Sequence, residues 1–372
     1  MINKLNIKNF KCFSEESTFE FSNLNVFTGY NGRGKSSLMQ SLLLMSQSIK
    51  KYNDIKVFSL NGEYIDLDLY EDICNDIEKN ISLEFFSDDS KKQLYLEYEK
   101  DENNERKGKL ANLRIDNKDY LSSSGDFKNS DKKDQIRRFD VYPLEDIKNI
   151  FNDFYYISAD RLGPTKYEEK TDINENNPVG NIAQFKLNVL NKHPDIKNRI
   201  QDELRFIMDC NDQIEINGNE NDNSVLSLRF NNNGKQIKSF NTGFGYTYIL
   251  GILILLELNP NGTIFIENPE AHLHPLAQSR LMKIICGKIC NTTKLQVFIE
   301  THSEHIINAV RLSCVSENGI RPENVSIYFF DNDFSNKHLE INNKGQILKW
   351  PVGFFDQQSK DLSEIIQLGM KK

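Results

Sequence analysis

Hydrophobic spacing along the chain alternates between strand-like and helix-like patterns. Ile2, Leu5 and Ile7, then Phe19, Phe21, Leu24 and Val26, predict two strands joined by a turn. From Ser37 to Ile49 the residues Leu38, Leu42, Met45 and Ile49 form a helical stripe. Between 52 and 150, short β-like runs (Val57-Phe58, Ile81 to Phe86, Gln93 to Tyr98, Leu110 to Ile115) sit among Asn-, Asp- and Lys-rich connections. That pattern predicts a sheet subdomain with long surface loops, with the stretch 101 to 137 as its mobile part. Phe154 to Ser158 predicts a strand, and residues 181 to 208 carry helical periodicity through Ile182, Phe185, Leu187, Leu190, Ile196, Ile200, Leu204 and Ile207. Ile214 to Ser239 alternates as strands around turns at Asn217-Gly218 and Asn233-Gly234. Tyr248 to Leu256 is the longest apolar run, too short to span a bilayer and therefore a core helix. Thr263 to Ile266 and Leu295 to Glu300 predict short buried strands.

Composition narrows the class. The 372 residues allow one large or two modest domains with a sizeable core. Hydrophobic residues at 38% and charged residues at 27% fit a soluble globular chain. The net charge of −8 argues against a chain dominated by non-specific nucleic-acid affinity. The basic stretch Lys128 to Arg138 is interleaved with Asp131 and Asp134, so a solvated face is preferred there and nucleic acid stays open. Six cysteines lie without framework spacing and no secretory signal precedes them, so reduced thiols in a cytoplasm are expected. Cys286 and Cys290 share a helical face and are expected to be buried thiols.

The chemistry concentrates at Gly29-Tyr30-Asn31-Gly32-Arg33-Gly34-Lys35-Ser36, which matches G-x-x-x-x-G-K-[ST] between a strand and a helix. Glycines let several backbone N–H groups converge on one phosphate. Asn31, Gly32, Arg33, Gly34, Lys35, Ser36 and Ser37 are the candidate nucleotide contacts. Lys35 reaches the β- and γ-phosphates, and Ser36 offers a hydroxyl to Mg²⁺. A second element is Thr263-Ile264-Phe265-Ile266-Glu267, an apolar strand ending in an acid. This Walker B pattern makes Glu267 the second candidate Mg²⁺ ligand. The sequence thus points to binding of a nucleoside triphosphate with Mg²⁺.

Beyond the P-loop, four segments carry a family resemblance: Glu267 to Pro275, Asn241-Thr242-Gly243-Phe244-Gly245, Glu300-Thr301-His302-Ser303-Glu304, and Trp350-Pro351-Val352-Gly353-Phe354-Phe355-Asp356. With Ile7 to Phe13 they span nearly the whole chain. It resembles ABC-class ATPases of the SMC, RecF and OLD group, most closely the prokaryotic AAA ATPases with the domain of unknown function 3696. The resemblance implies an α/β fold of P-loop, ABC-ATPase head type: a mixed central sheet, an antiparallel β lobe and an inserted helical lobe. No repeat or clear linker interrupts it, so one composite domain over 1–372 is expected. Its parts would be 1–160 (P-loop core and β lobe), 161–245 (helical lobe leading to the signature) and 246–372 (Walker B, switch histidine and C-terminal segment).

The resemblance also implies roles. Thr242 and Gly243 stand at the ABC signature, where one subunit contacts the γ-phosphate held by another. Their motif departs from Leu-Ser-Gly-Gly. Lys11 joins the nucleotide contacts, His302 takes the switch-histidine position, and His272 and His274 fall at the D-loop. Asp160 and Arg161 occupy the Q-loop position without its glutamine. Arg161 near a phosphate and Arg161 in a structural ion pair are both open. Asn268 stands where the class has its catalytic glutamate. Asparagine can hold a water but cannot take its proton, so Glu270 is the candidate base, with Asn268 placing the water.

Implied partners are a second copy, in a dimer or higher homo-oligomer closed around ATP, and a separate effector protein. The chain has no heptad run, and about seventy residues after His302 are too few for a Toprim nuclease. A cytoplasmic ATPase of a prokaryotic anti-phage defence-type system is the leading expectation, with no membrane partner. Alternatives are a RecF-like DNA-binding repair or replication ATPase and a nucleotide-binding scaffold with little turnover. A transporter subunit is disfavoured by the missing Q-loop glutamine.

Overall fold

Strands that are apolar at nearly every position need cover on both faces, and these strands form the centre of the molecule. The computed structural model describes residues 1–87, 92–121, 143–174, 177–219, 222–232, 234–241, 243–292 and 294–370. The central sheet runs, in order across it, Asn336–Leu339, Val325–Phe330, Leu24–Gly29, Gln296–Glu300, Thr263–Glu267 and Phe154–Ile157. All neighbours are parallel except the edge pair, where Asn336–Leu339 runs antiparallel to Val325–Phe330. Every residue of Gln296–Glu300 and Val325–Phe330 is buried.

One face of this sheet packs on the helix Lys35–Tyr52. That helix in turn lies under an antiparallel sheet built from Ser17–Glu20, Ile2–Lys8, Ile81–Ser87, Lys92–Lys100, Lys107–Ile115 and Val57–Ser59. Leu38, Leu42, Met45 and Ile49 of the helix share a core with Phe27, Phe265 and Phe298 of the central sheet and with Leu5, Leu83 and Leu96 of the other. Phe265 and Phe298 stack at 4.8 Å. The opposite face, through Val26, Ile266 and Val297, is covered by helices including Pro194–Met208, Phe244–Leu258, Pro275–Cys290 and Glu304–Val315. The final helix, Gln357–Gly369, has no buried residue.

Local readings that tertiary structure overrides are instructive. Phe19 to Val26 is two strands, Ser17–Glu20 and Leu24–Gly29, because the chain changes sheets there; Ser22 and the Asn25 amide exchange two 2.8 Å bonds that hold the bend. The periodicity of 181 to 208 belongs to two helices, Lys186–Lys192 and Pro194–Met208, divided where proline opens the second. Asn217-Gly218 does not turn. It continues the strand Gln213–Asn219, with Gly218 opposite Leu226.

Within 101 to 137, Lys107–Ile115 and Lys118–Leu121 are paired strands joined through Asp116 and Asn117, both at positive φ as a tight hairpin requires. Residues 122 to 138, with the basic run Lys128 to Arg138, lie outside the described residues, as does Asn233. Cys286 is buried but Cys290 is exposed. No described helix is long and apolar enough to cross a membrane.

Candidate functional site: a P-loop under two carboxylates

The strand Leu24–Gly29 delivers the chain to the C-terminal edge of the central sheet, and the helix starting at Lys35 leaves from there. Between them Gly34 takes φ +109°, and a Cβ at this position would lie 2.7 Å from Cys12 Sγ, so only glycine fits. The buried Lys35 folds its ammonium over the loop, donating to the Tyr30 carbonyl at 2.7 Å and the Gly29 carbonyl at 3.2 Å. Burial lowers its pKa, and the charge of Glu300 opposes the shift. The Arg33 guanidinium points away, over the Phe334 ring at 4.4 Å and onto Asn332 Oδ1 at 2.8 Å. Asn31 and Gly32 are exposed, and Ser37 is half-buried.

Ser36 Oγ donates to Glu300 Oε1 at 3.0 Å. Glu300 ends the strand beside the P-loop strand, and Glu267 ends the next one, opposite Glu300 in register. Glu267 Oε2 accepts the Ala159 N–H at 3.1 Å. Burial pushes the Glu300 carboxyl above its usual range; Glu267 adds to the push, and Ser36 and Lys35 oppose it. The second oxygen of Glu300, Oε2, is buried without a hydrogen-bond partner. Such an acceptor beside a hydroxyl and a second carboxylate suits a hard cation that takes further oxygens from phosphate and water. Among the described residues no three His, Cys, Asp or Glu side chains are grouped to hold a metal by themselves. The residues present therefore fit Mg²⁺ carried with a nucleotide.

The turn after Glu267 carries the remaining chemistry. Glu270 Oε1 accepts the His302 N–H at 2.7 Å, and its Oε2 and Asn268 Oδ1 are both buried without partners. Partial desolvation, and secondarily Lys35, lower the His302 pKa and favour the neutral imidazole. Arg161 is 2% exposed and donates to the carbonyls of Ser158 (3.0 Å), Glu267 (2.6 Å) and Asn268 (2.7 Å). In place of the structural ion pair it is a backbone clamp that fixes where Glu267 and Asn268 point.

Other predicted residues lie apart. Lys11 Nζ bonds Gln40 Oε1 at 2.6 Å, on the helix one turn beyond Ser36. Gly243 caps Phe244–Leu258 with open space around it; Thr242 lies outside the described residues. The His272 ring stacks on exposed Phe244 at 5.2 Å, at the start of the helix Phe244–Leu258. His274 caps Pro275–Cys290 by accepting the Leu276 N–H.

Two features escaped sequence reasoning. Glu300 carries the same signal as Glu267, an apolar strand ending in an acid, but in the sequence it stands out only as the lead-in to His302. The segment Trp350 to Asp356 folds onto the P-loop, enclosing a cavity of about 120 Å³ with Thr28, Tyr30, His302 and Phe329. No local signal points to that contact.

Comparison with known proteins agrees with this geometry. The family model described as AAA ATPase domain matches residues 1–307, and that of the protein of unknown function DUF3696 matches 320–365. An "ATP/GTP phosphatase" of Helicobacter pylori is 23% identical over 333 residues, covering 82% of this chain and 86% of its own. Among solved structures, an SMC head bound to the C-terminal winged-helix domain of ScpA superposes with TM-score 0.52 at 11% identity, covering 92% of this chain and 97% of its own. The SMC head of Thermotoga maritima gives 0.46 at 12% identity, with 92% and 99% covered. The fold is that of an SMC-type head.

Proposed function

The chain belongs to the AAA ATPase family and is an ATPase of SMC/ABC type; from this we propose that two copies close head to tail around two Mg·ATP and thereby control a separate effector protein. The observation that carries the reading is the meeting of Lys35, Ser36, Glu267, Glu270 and His302 at one sheet edge, while Gly243 stands in open space with no P-loop contact in its own chain. A helix N-terminus whose first glycine faces open space is accessible to another copy's nucleotide, with Thr242 and Gly243 as the proposed helix N-terminal anion contacts. The SMC head that superposes above 0.5 is itself bound to a partner protein, ScpA.

In the proposed cycle Lys35 leaves the loop carbonyls for the β- and γ-phosphates. Ser36 and Glu267 would hold Mg²⁺, which would offset charge on the phosphate oxygens. Glu270 takes the proton of the attacking water, Asn268 orients that water, and neutral His302 senses the γ-phosphate. The biological setting is a cytoplasmic, prokaryotic anti-phage defence-type system. A second reading, a nucleotide-binding scaffold with little turnover, is favoured by Asn268, which has no proton-accepting group.

The test is solution mass with and without ATP·Mg²⁺, alongside phosphate release. A shift to dimer with ATP and measurable turnover, both abolished in Lys35→Ala, is expected. A monomer indifferent to nucleotide would count against the closure. A stable assembly formed without ATP would make the nucleotide a regulator of a preformed scaffold.

A further inference from the structure

The P-loop hydroxyl faces an acid that the Walker B assignment does not include. Ser36 Oγ bonds Glu300, not Glu267. The strand ending in Glu300 pairs directly with the P-loop strand, whereas the strand ending in Glu267 lies one position further out. Because the two acids are opposite in a parallel pair, both side chains leave the same face, with backbones about 4.8 Å apart. Two carboxylates so placed repel unless a cation lies between them.

The two described cations nearest the pair spend their hydrogen bonds on carbonyls: Lys35 on those of Gly29 and Tyr30, Arg161 on those of Ser158, Glu267 and Asn268. Glu267 has the Ala159 N–H. Glu300, only 7% exposed, keeps one oxygen with no hydrogen bond. A buried carboxylate oxygen left unpaired is costly and calls for a partner, water or cation.

We propose that Glu300 makes nucleotide binding conditional on a divalent cation: with Ser36 it joins the Mg²⁺ shell, and without the cation its charge repels the triphosphate. The inference rests on the nucleotide-binding reading above. It adds to Glu267 a second carboxylate, nearer the P-loop, whose partner hydroxyl is the P-loop serine itself. Glutamine at this position would still accept the Ser36 hydrogen bond while removing the charge, so substitution separates a charge role from a hydrogen-bonding one.

The experiment is calorimetric titration of the full chain with ATP, in Mg²⁺ and in EDTA. Wild type is expected to bind far more weakly in EDTA. Glu300→Gln should bind metal-free ATP about tenfold or more tightly than wild type, and Mg·ATP more weakly, so that the ratio collapses. Glu300→Asp keeps the charge one methylene further back. It should retain the weak EDTA affinity and lose Mg·ATP affinity, and it decides the matter if the glutamine variant does not fold. A Glu300→Gln ratio equal to wild type, or Glu300→Asp binding metal-free ATP as tightly as Mg·ATP, overturns the proposal and leaves Glu300 as a hydrogen-bond partner of Ser36. A wild-type chain that binds ATP under neither condition overturns the nucleotide-binding reading itself.

Discussion

At position 268 the backbone sits at φ +43°, a left-handed conformation that asparagine visits more readily than glutamate. Its N–H donates to the Glu300 carbonyl at 2.8 Å and its carbonyl accepts Arg161, so the side-chain amide is what remains to meet a water. An amide oxygen can orient that water but cannot deprotonate it. Glu270 can: one oxygen is pinned by the His302 N–H and the other is buried and unpaired. We predict that Glu270→Gln lowers phosphate release by about a hundredfold or more with ATP binding within a few-fold of wild type, and that Asn268→Ala costs less. Unchanged turnover in Glu270→Gln would remove it from the mechanism. Lys35, Ser36 and Glu267 were legible in the sequence as candidates because a strand-loop-helix phosphate cradle tolerates little variation. Glu300 was less legible, because an acid ending a strand acquires meaning only from the strand it pairs with.

Between elements, the C-terminal segment decides how the P-loop is walled. Gly353 is at φ +85°, and a Cβ there would approach Tyr30 Oη to 2.3 Å. The turn is tied by Trp350 Nε1 to the Phe354 carbonyl at 2.7 Å and by the Gly353 N–H to Asp356 Oδ2 at 3.1 Å, with Phe354 buried against Phe329. Tyr30 is half-exposed and free to swing aside, so the backbone strain dominates. Gly353→Ala should destabilise the protein by about 1–2 kcal/mol and weaken ATP binding, because Tyr30 belongs to the phosphate loop. Adding Tyr30→Phe should recover only the part due to overlap. Thermal melts and nucleotide titrations of both variants check this, and a Gly353→Ala chain matching wild type in each would detach the segment from the P-loop.

For the molecule as a whole, the P-loop helix is locked to the sheet edge by a buried amine. Lys50 Nζ donates to the Phe154 carbonyl at 3.1 Å and to Tyr64, whose hydroxyl donates to the same carbonyl at 2.6 Å. Burial lowers the Lys50 pKa to about 8, with Glu63 and Asp153 opposing; burial also raises that of Tyr64, which keeps the phenol neutral. Between pH 8 and 10.5 the unfolded chain holds the lysine proton and the folded chain releases it. Stability from this group therefore rises with pH across that window, by about 3 kcal/mol at most. Below it the cost of the buried charge is fully present. Denaturant titrations from pH 7.5 to 10 should show the rise, and Lys50→Met should flatten it; a parallel rise in the variant would place its source elsewhere.

What the sequence determined by itself was local chemistry: the P-loop between strand and helix, the acid-tipped strand Thr263–Glu267 and the buried apolar helix within Phe244–Leu258. Each is written in contiguous residues, since phosphate binding and strand burial impose their own spacing. Tertiary structure alone decided the rest. It split Phe19 to Val26 between two sheets, carried Asn217-Gly218 through a strand, turned Arg161 into a backbone clamp, and brought Glu300 to Ser36 and Gly353 to Tyr30. These outcomes depend on strand order and on contacts made outside the segment itself, the Glu300–Ser36 and Gly353–Tyr30 pairs lying hundreds of positions apart. No local periodicity encodes them, because the energy that selects them comes from the partner surface rather than from the segment itself.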